Sequence, residues 1–147
     1  MNRKKHRIAG ACHCGNLSFE LTTRTSPDDI VARACECSFC QKHGATYWAD
    51  PEGSATIRIA DERYLQKYRF GLRATDFYIC RVCGTCLGAV LSDEDGAWSV
   101  INLRLTELDV QHAQLVSFEG EDRSRQVARR KRSWTPTTCQ HQKSIVP

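Results

Sequence analysis

The sequence predicts a mainly β fold, and three observations carry that expectation. Short apolar–polar alternations recur at roughly ten-residue spacing, clusters of turn-forming residues separate them, and only two stretches have helical character, neither with a strong apolar stripe.

The elements follow in chain order. Within residues 16–23, Leu17, Phe19 and Leu21 share one face and Ser18, Glu20 and Thr22 the other, the pattern of a half-buried strand. Residues 45–50, with Tyr47 and Trp48, read as the next strand, followed by 55–59, 64–70, 75–80, 87–91 and 97–103. Turns come from Ser26-Pro27-Asp28-Asp29, Asp50-Pro51-Glu52-Gly53 and Ser92-Asp93-Glu94-Asp95-Gly96, and Asp95-Gly96 suits a hairpin between the last two strands. Helix is confined to 107–116 and 123–132. A chain of 147 residues supports one compact core more readily than two. Residues 8–135 are therefore expected to form a single domain, with a basic N-terminal tail at 1–7 and a disordered polar C-terminal tail at 136–147.

Composition removes several classes. Hydrophobic content of 41% and charged content of 26% are those of a folded globular chain. No run of about 18 apolar residues is present, which excludes a transmembrane helix. The basic start is not followed by an apolar segment, so no secretory signal is read and a cytoplasmic location is expected. The net charge of +4 is concentrated at the ends, in Arg3, Lys4, Lys5 and Arg7 and in Arg123, Arg125, Arg129, Arg130, Lys131 and Arg132. These clusters read first as solubilising; contact with nucleic acid or another anionic partner is the alternative. Oligomeric state is not legible.

The nine cysteines depart most from an ordinary composition. An odd number without a secretory context argues for metal binding rather than a disulfide framework. All but Cys139 fall into three clusters: Cys12-His13-Cys14-Gly15, Cys35-Glu36-Cys37-Ser38-Phe39-Cys40 and Cys80-Arg81-Val82-Cys83-Gly84-Thr85-Cys86. Zinc holds sulfur about 2.3 Å away in a tetrahedron, so ligands paired two or three residues apart let one tight turn supply two corners. A thioredoxin-type C-x-x-C needs a βαβ setting that this pattern lacks. Cys12 and Cys14 with Cys80 and Cys83 satisfy the ribbon spacing, but counting alone leaves open which clusters share a metal.

The run of Cys12-His13-Cys14-Gly15 with Phe19, then Cys35 to Ala45, then Cys80 to Thr85, resembles the glutathione-dependent formaldehyde-activating enzyme family, whose fold is Mss4-like and β-rich. The likeness spans about residues 10–134. It implies two Zn²⁺ sites: a structural one at Cys12, Cys14, Cys80 and Cys83, and a catalytic-type one at Cys35, Cys37 and Cys40. It also implies a carbon–sulfur lyase chemistry, in which a small thiol such as glutathione adds to formaldehyde to give S-hydroxymethylglutathione. A three-thiolate zinc suits that chemistry, because a further thiol held there has a lowered pKa.

Two departures from the family pattern stand out. Glu36 replaces the usual His and Gln41 the usual Arg, which removes a cation and should weaken attraction for an anionic tripeptide. Lys42 and His43 remain as candidate substrate-binding cations, with a solvated turn as the plainer role for His43. Glu36 is read either as a proton-handling neighbour of the site or as a solvent-facing acid. Cys86 is a candidate fourth ligand for Cys35, Cys37 and Cys40; bound there it would close the site, and a buried strand thiol is the alternative. Tyr47, Trp48, Phe77, Tyr78 and Trp98 are expected chiefly as core, with a pocket wall as the second role. The rival to the enzyme is a non-catalytic, zinc-stabilised binding module using the basic termini, and a β-rich zinc fold serves either.

Overall fold

In the computed structural model, which describes residues 4–110, 113–118 and 120–141, the period-two alternation becomes strands. β1 (His6–Ala11) pairs antiparallel with β2 (Leu17–Thr23), which buries Leu17, Phe19, Leu21 and Thr23 on one face. A short β3 (Arg33–Cys35) leads into helix α1 (Ser38–His43) and the two-residue β4 (Tyr47–Trp48). Next come β5 (Ser54–Ile59), β6 (Leu65–Tyr68), β7 (Asp76–Cys80), β8 (Cys86–Asp93) and β9 (Gly96–Asn102). The chain closes with β10 (Gln114–Val116), helix α2 (Arg123–Ser133) and β11 (Thr135–His141).

One mixed sheet connects all of these strands. Its main path runs β1-β2-β5-β11-β9-β4-β3-β10, and β9 also carries the antiparallel branch β8-β7-β6. Only β11 against β5 and β10 against β3 are parallel. The mainly β expectation is met, and the seven strands foreseen from alternation are all present within a few residues of their expected limits.

The differences have physical reasons. Residues 136–141 are not a disordered tail. Thr135 and Pro136 pair with Ser99 and Trp98 of β9, and Thr137 to His141 then pair with β5. β11 thus bolts the two halves of the sheet together, and Thr135 is fully buried. Its β-branched threonines favour a pleated, half-buried surface even though the run looks polar. Residues 142–147 lie outside the described residues. At the other end, His6 and Arg7 belong to β1 rather than to a tail. The helix expected over 107–116 is absent among the described residues, where Gln114–Val116 is a strand beside β3; the helix expected over 123–132 is α2.

Two buried clusters share the interior. The larger packs Ile8, Leu17, Phe19, Leu21, Ile57 and Ile59 against Leu87, Val90 and Ile101. The smaller contains Cys40, Tyr47, Phe77, Cys86, Leu91 and Trp134. β8 serves both, since Leu87 and Val90 enter one cluster while Cys86, Ala89 and Leu91 enter the other. Each fully buried Leu or Ile contributes about 1.5–3 kcal/mol over its exposed state. The clusters also divide the cysteines: Cys12 and Cys80 border the first, and Cys35, Cys37 and Cys40 the second.

Candidate active site and metal centres

The first cysteine group grows from two turns at strand ends. Cys12 follows the last residue of β1, and the Gly15 amide donates to the Cys12 carbonyl at 3.0 Å while the Leu17 amide donates to Cys12 Sγ at 3.3 Å. Cys80 ends β7, and its turn closes by the Gly84 amide on the Cys80 carbonyl at 2.9 Å. Both turns need positive φ after their second cysteine, +88° at Gly15 and +77° at Gly84, which glycine adopts without strain. The Sγ atoms of Cys12, Cys14, Cys80 and Cys83 all lie within 4.8 Å of one another, with Cys12 to Cys14 at 3.7 Å and Cys14 to Cys80 at 3.4 Å. A tetrahedron of sulfurs around zinc has edges of about 3.8 Å. The donor set and spacing therefore fit a tetrahedral thiolate-bound ion. Burial pushes Cys80 up to about 12 and raises Cys12 as well, whereas hydrogen bonds from Thr85 and its neighbours draw Cys83 down to about 5 against burial.

The second group comes from one short stretch. Cys35 ends β3, Cys37 caps α1 with its Sγ accepting from the Cys40 amide at 3.5 Å, and Cys40 lies one turn further along. Strand end, cap and first turn bring three sulfurs within 4.8 Å of one another. Cys40 is buried, and its Sγ lies 3.6 Å from the Tyr47 hydroxyl. A hydrogen bond from Cys40, aided by amide and thiol bonds at Cys37 and the positive charge of Arg130, draws Cys35 down to about 5 against the opposing effect of burial. The same bond and burial push Cys40 up. Soft thiolate donors in this number also fit a zinc-type ion.

Cys86 belongs to neither group. It is buried on β8 beside Tyr47, with Sγ 3.9 Å from the Gly88 carbonyl, and burial pushes its thiol up to about 11.

A cavity of about 470 Å³ opens on the trio. Cys35, Cys37 and Cys40 form one part of its wall, Phe70, Phe77 and Phe118 another, and Arg130 a third. Arg130 projects from α2 with its guanidinium 4.7 Å above the Trp134 ring and donates from one terminal nitrogen to the Thr75 hydroxyl at 3.1 Å. Burial and the adjacent Arg129 pull its pKa down to about 10, opposed by Glu121, Cys35 and Cys37. Glu36 lines the same cavity and is itself exposed.

Other site expectations fare differently. Lys42 and His43 are exposed at the end of α1, His43 lying against Phe39 at 4.4 Å, and neither lines the cavity. Phe77 is a wall residue, and Tyr47 borders a side pocket; Trp48, Tyr78 and Trp98 border neither space. The basic run of α2, read in the sequence first as solubilising and alternatively as a contact for an anionic partner, divides in two: Arg123, Arg125 and Arg132 are exposed, while Arg129 and Lys131 pair with acids of the same chain. Arg129 makes a two-pronged pair with Glu121 at 2.9 and 3.1 Å, and Lys131 pairs with Asp93 and Asp95. The cation that sequence reasoning missed is Arg130. Its one local signal is Trp134 four residues later, the spacing at which helical side chains meet.

No helix among the described residues is long and apolar enough to cross a membrane. Among proteins of curated function, none matches this sequence significantly. A crystal structure of a Rhodobacter sphaeroides protein is similar, with 25% identity, a TM-score of 0.54, and coverage of 74% of this chain and 99% of that one. Residues 7–120 match the family described as glutathione-dependent formaldehyde-activating enzyme, and they include both cysteine groups. The chain therefore belongs to the glutathione-dependent formaldehyde-activating enzyme family.

Proposed function

We propose that this protein is a zinc-dependent, carbon–sulfur lyase-like enzyme acting on small thiol adducts such as S-hydroxymethylglutathione, with the cytoplasm as its compartment. The observation that carries this reading is the three-cysteine group opening on a cavity of about 470 Å³, while the four-cysteine group has no part in that cavity's wall.

Cys12, Cys14, Cys80 and Cys83 would hold a structural zinc, and Cys35, Cys37 and Cys40 the second. There zinc supplies a soft Lewis acid that keeps an incoming thiol ionised near neutral pH. The chain contributes the rest. Phe70, Phe77 and Phe118 give the cavity an apolar wall beside the trio. Three thiolates around a divalent ion leave a net charge of about −1, and the Arg130 guanidinium offsets it in a partly buried setting. In the adding direction a sulfur–carbon bond forms, and the proton lost by the thiol ends on the former carbonyl oxygen. The binding-module alternative is disfavoured by the pairing of Arg129 and Lys131 with acids of the same chain.

The direct assay is NMR exchange between free glutathione and its formaldehyde adduct. Wild-type protein should raise the exchange rate, and Cys37→Ser should return it to the protein-free value. A wild-type rate equal to that without protein overturns the named reaction.

A further inference from the structure

We propose that Arg130 selects the substrate of this site by binding a carboxylate carried by the thiol adduct. This rests on the reading of the trio as a thiol-adduct site. The geometry goes beyond the trio in three respects.

Arg130 is held but not satisfied. Its plane is set by the Trp134 ring at 4.7 Å, and one terminal nitrogen is committed to the Thr75 hydroxyl at 3.1 Å. The guanidinium has five N–H donors in a fixed fork, and its buried Nε has no hydrogen-bond partner. A buried unpaired donor on a charged group is costly, and because Arg130 lines the cavity its terminal N–H groups beyond the one on Thr75 are the donors that an incoming carboxylate can take.

The neighbouring acid is already occupied. Glu121 shares the main cavity with Arg130, but both its oxygens accept from Arg129, which itself lies 3.5 Å above the Phe118 ring. Glu121 therefore makes no hydrogen bond to Arg130 and leaves it for an incoming anion.

Arg130 also forms the boundary to a second space. A side pocket of about 80 Å³ shares Cys35, Cys40, Phe77, Phe118 and Arg130 with the main cavity, and adds Arg33 and Arg129. Among the described residues no acidic side chain lines it. With Arg129 neutralised by Glu121, Arg130 and Arg33 remain as cations around a space of that size, next to two of the three thiols, and suit a carboxylate on a molecule whose sulfur reaches the trio. An uncharged thiol gains nothing from this arrangement.

The test uses the full chain loaded with zinc and compares ligands that differ in one carboxylate. In the first arm, dissociation constants are measured by calorimetry for 3-mercaptopropionate and 2-mercaptoethanol. In the second, 2-mercaptoethanol is titrated with glyoxylate or with formaldehyde, which moves the carboxylate to the carbonyl partner. Wild type should prefer the anionic ligand by about ten- to a hundredfold in at least one arm, the scale of a charge-assisted hydrogen bond. Arg130→Gln should erase that preference, bringing the ratio of the two affinities to about one whatever it does to both together, and Arg130→Lys should keep part of the preference. The arm showing the effect identifies which partner carries the carboxylate. Absence of a preference in wild type in both arms overturns the proposal without need of any variant. So does an equal loss for charged and uncharged ligands in Arg130→Gln. If wild type binds no thiol at all, the thiol-adduct reading itself fails, an outcome distinct from a thiol site indifferent to charge.

Discussion

Cys12, Cys14, Cys80 and Cys83 come from two turns that follow β1 and β7, whereas Cys35, Cys37 and Cys40 come from one stretch around the start of α1. The first group joins chain segments more than sixty residues apart and spends four sulfurs on doing so. The second joins only its own neighbours, lines a cavity and faces an arginine. On the proposed function the same side chain would perform two tasks, and the topology around it would decide which. Ligands that tie distant strands make a metal part of the fold, while ligands on a local turn leave the fold nearly independent of the metal and free the site for chemistry.

The largest effect that can break this comparison is the removal of one ligand from each group. Cys80→Ser should lose one zinc equivalent and about 3–5 kcal/mol of stability or more, because the ion and the turn it closes are lost together. Cys37→Ser should also lose one equivalent, yet cost only about 1 kcal/mol. Cys86→Ser should keep both equivalents. Zinc per chain by atomic emission, paired with thermal unfolding, reads all three. Similar destabilisation by Cys80→Ser and Cys37→Ser would remove the distinction between a structural and a working site.

A subtler pair sits in the backbone. Gly84 has φ +77° beside the four-cysteine group, and Gly44 has φ +62° where it ends α1 beside the trio. An added Cβ meets nothing within 4 Å at either position, so Gly84→Ala and Gly44→Ala should each cost about 1–2 kcal/mol from conformation alone. Equal global cost should come with unequal metal retention. Under chelator challenge, Gly84→Ala should speed loss of the tightly held equivalent, and Gly44→Ala loss of the other. A shared release profile would mean that the two groups are not independent.

Much of this arrangement was legible in the sequence where the signal is local. Alternation in Leu17, Phe19 and Leu21 marks a strand because the side-chain period is two, and paired cysteines two or three residues apart mark a ligand turn. The unread parts depend on distant partners. β11 looks like a polar tail, and it becomes a strand only because β5 and β9 offer it edges on both sides. The three-residue β10 is too short to carry a pattern and is set by pairing with β3. Apart from Trp134 four residues on, nothing in the sequence sets Arg130 apart from Arg129 and Lys131. Its inward path depends on where α2 lies across the sheet, with Glu121 and Asp93 taking the charges on either side. Cys86 was readable either as a fourth ligand or as a buried strand thiol, and its register on β8, which turns it to Tyr47 instead of the trio, makes it the second.

That placement of α2 supplies the smallest prediction. Lys131 anchors the helix to the β8–β9 hairpin through Asp93 and, at 3.4 Å, Asp95. Lys131, together with the backbone amides of Asp95 and Gly96, holds the Asp93 carboxyl below the usual carboxylate range. A depressed carboxyl contributes stability that is present above its unfolded value near pH 4 and is lost as pH falls through the folded value. Exposed pairs of this kind contribute little, so Asp93→Asn should lower the melting temperature by only about 1–2 °C at neutral pH. Once the pH has fallen below the folded Asp93 value, the variant and wild type should melt alike. The location of the effect matters more than its size. α2 contributes Gln126 and Arg130 to the wall of the trio's cavity, so hydrogen exchange should quicken in α2 amides while those around Cys12 and Cys80 stay protected. Exchange quickening equally at both cysteine groups would show that the helix supports the whole sheet, and that the trio's surroundings are no more adjustable than the structural site's.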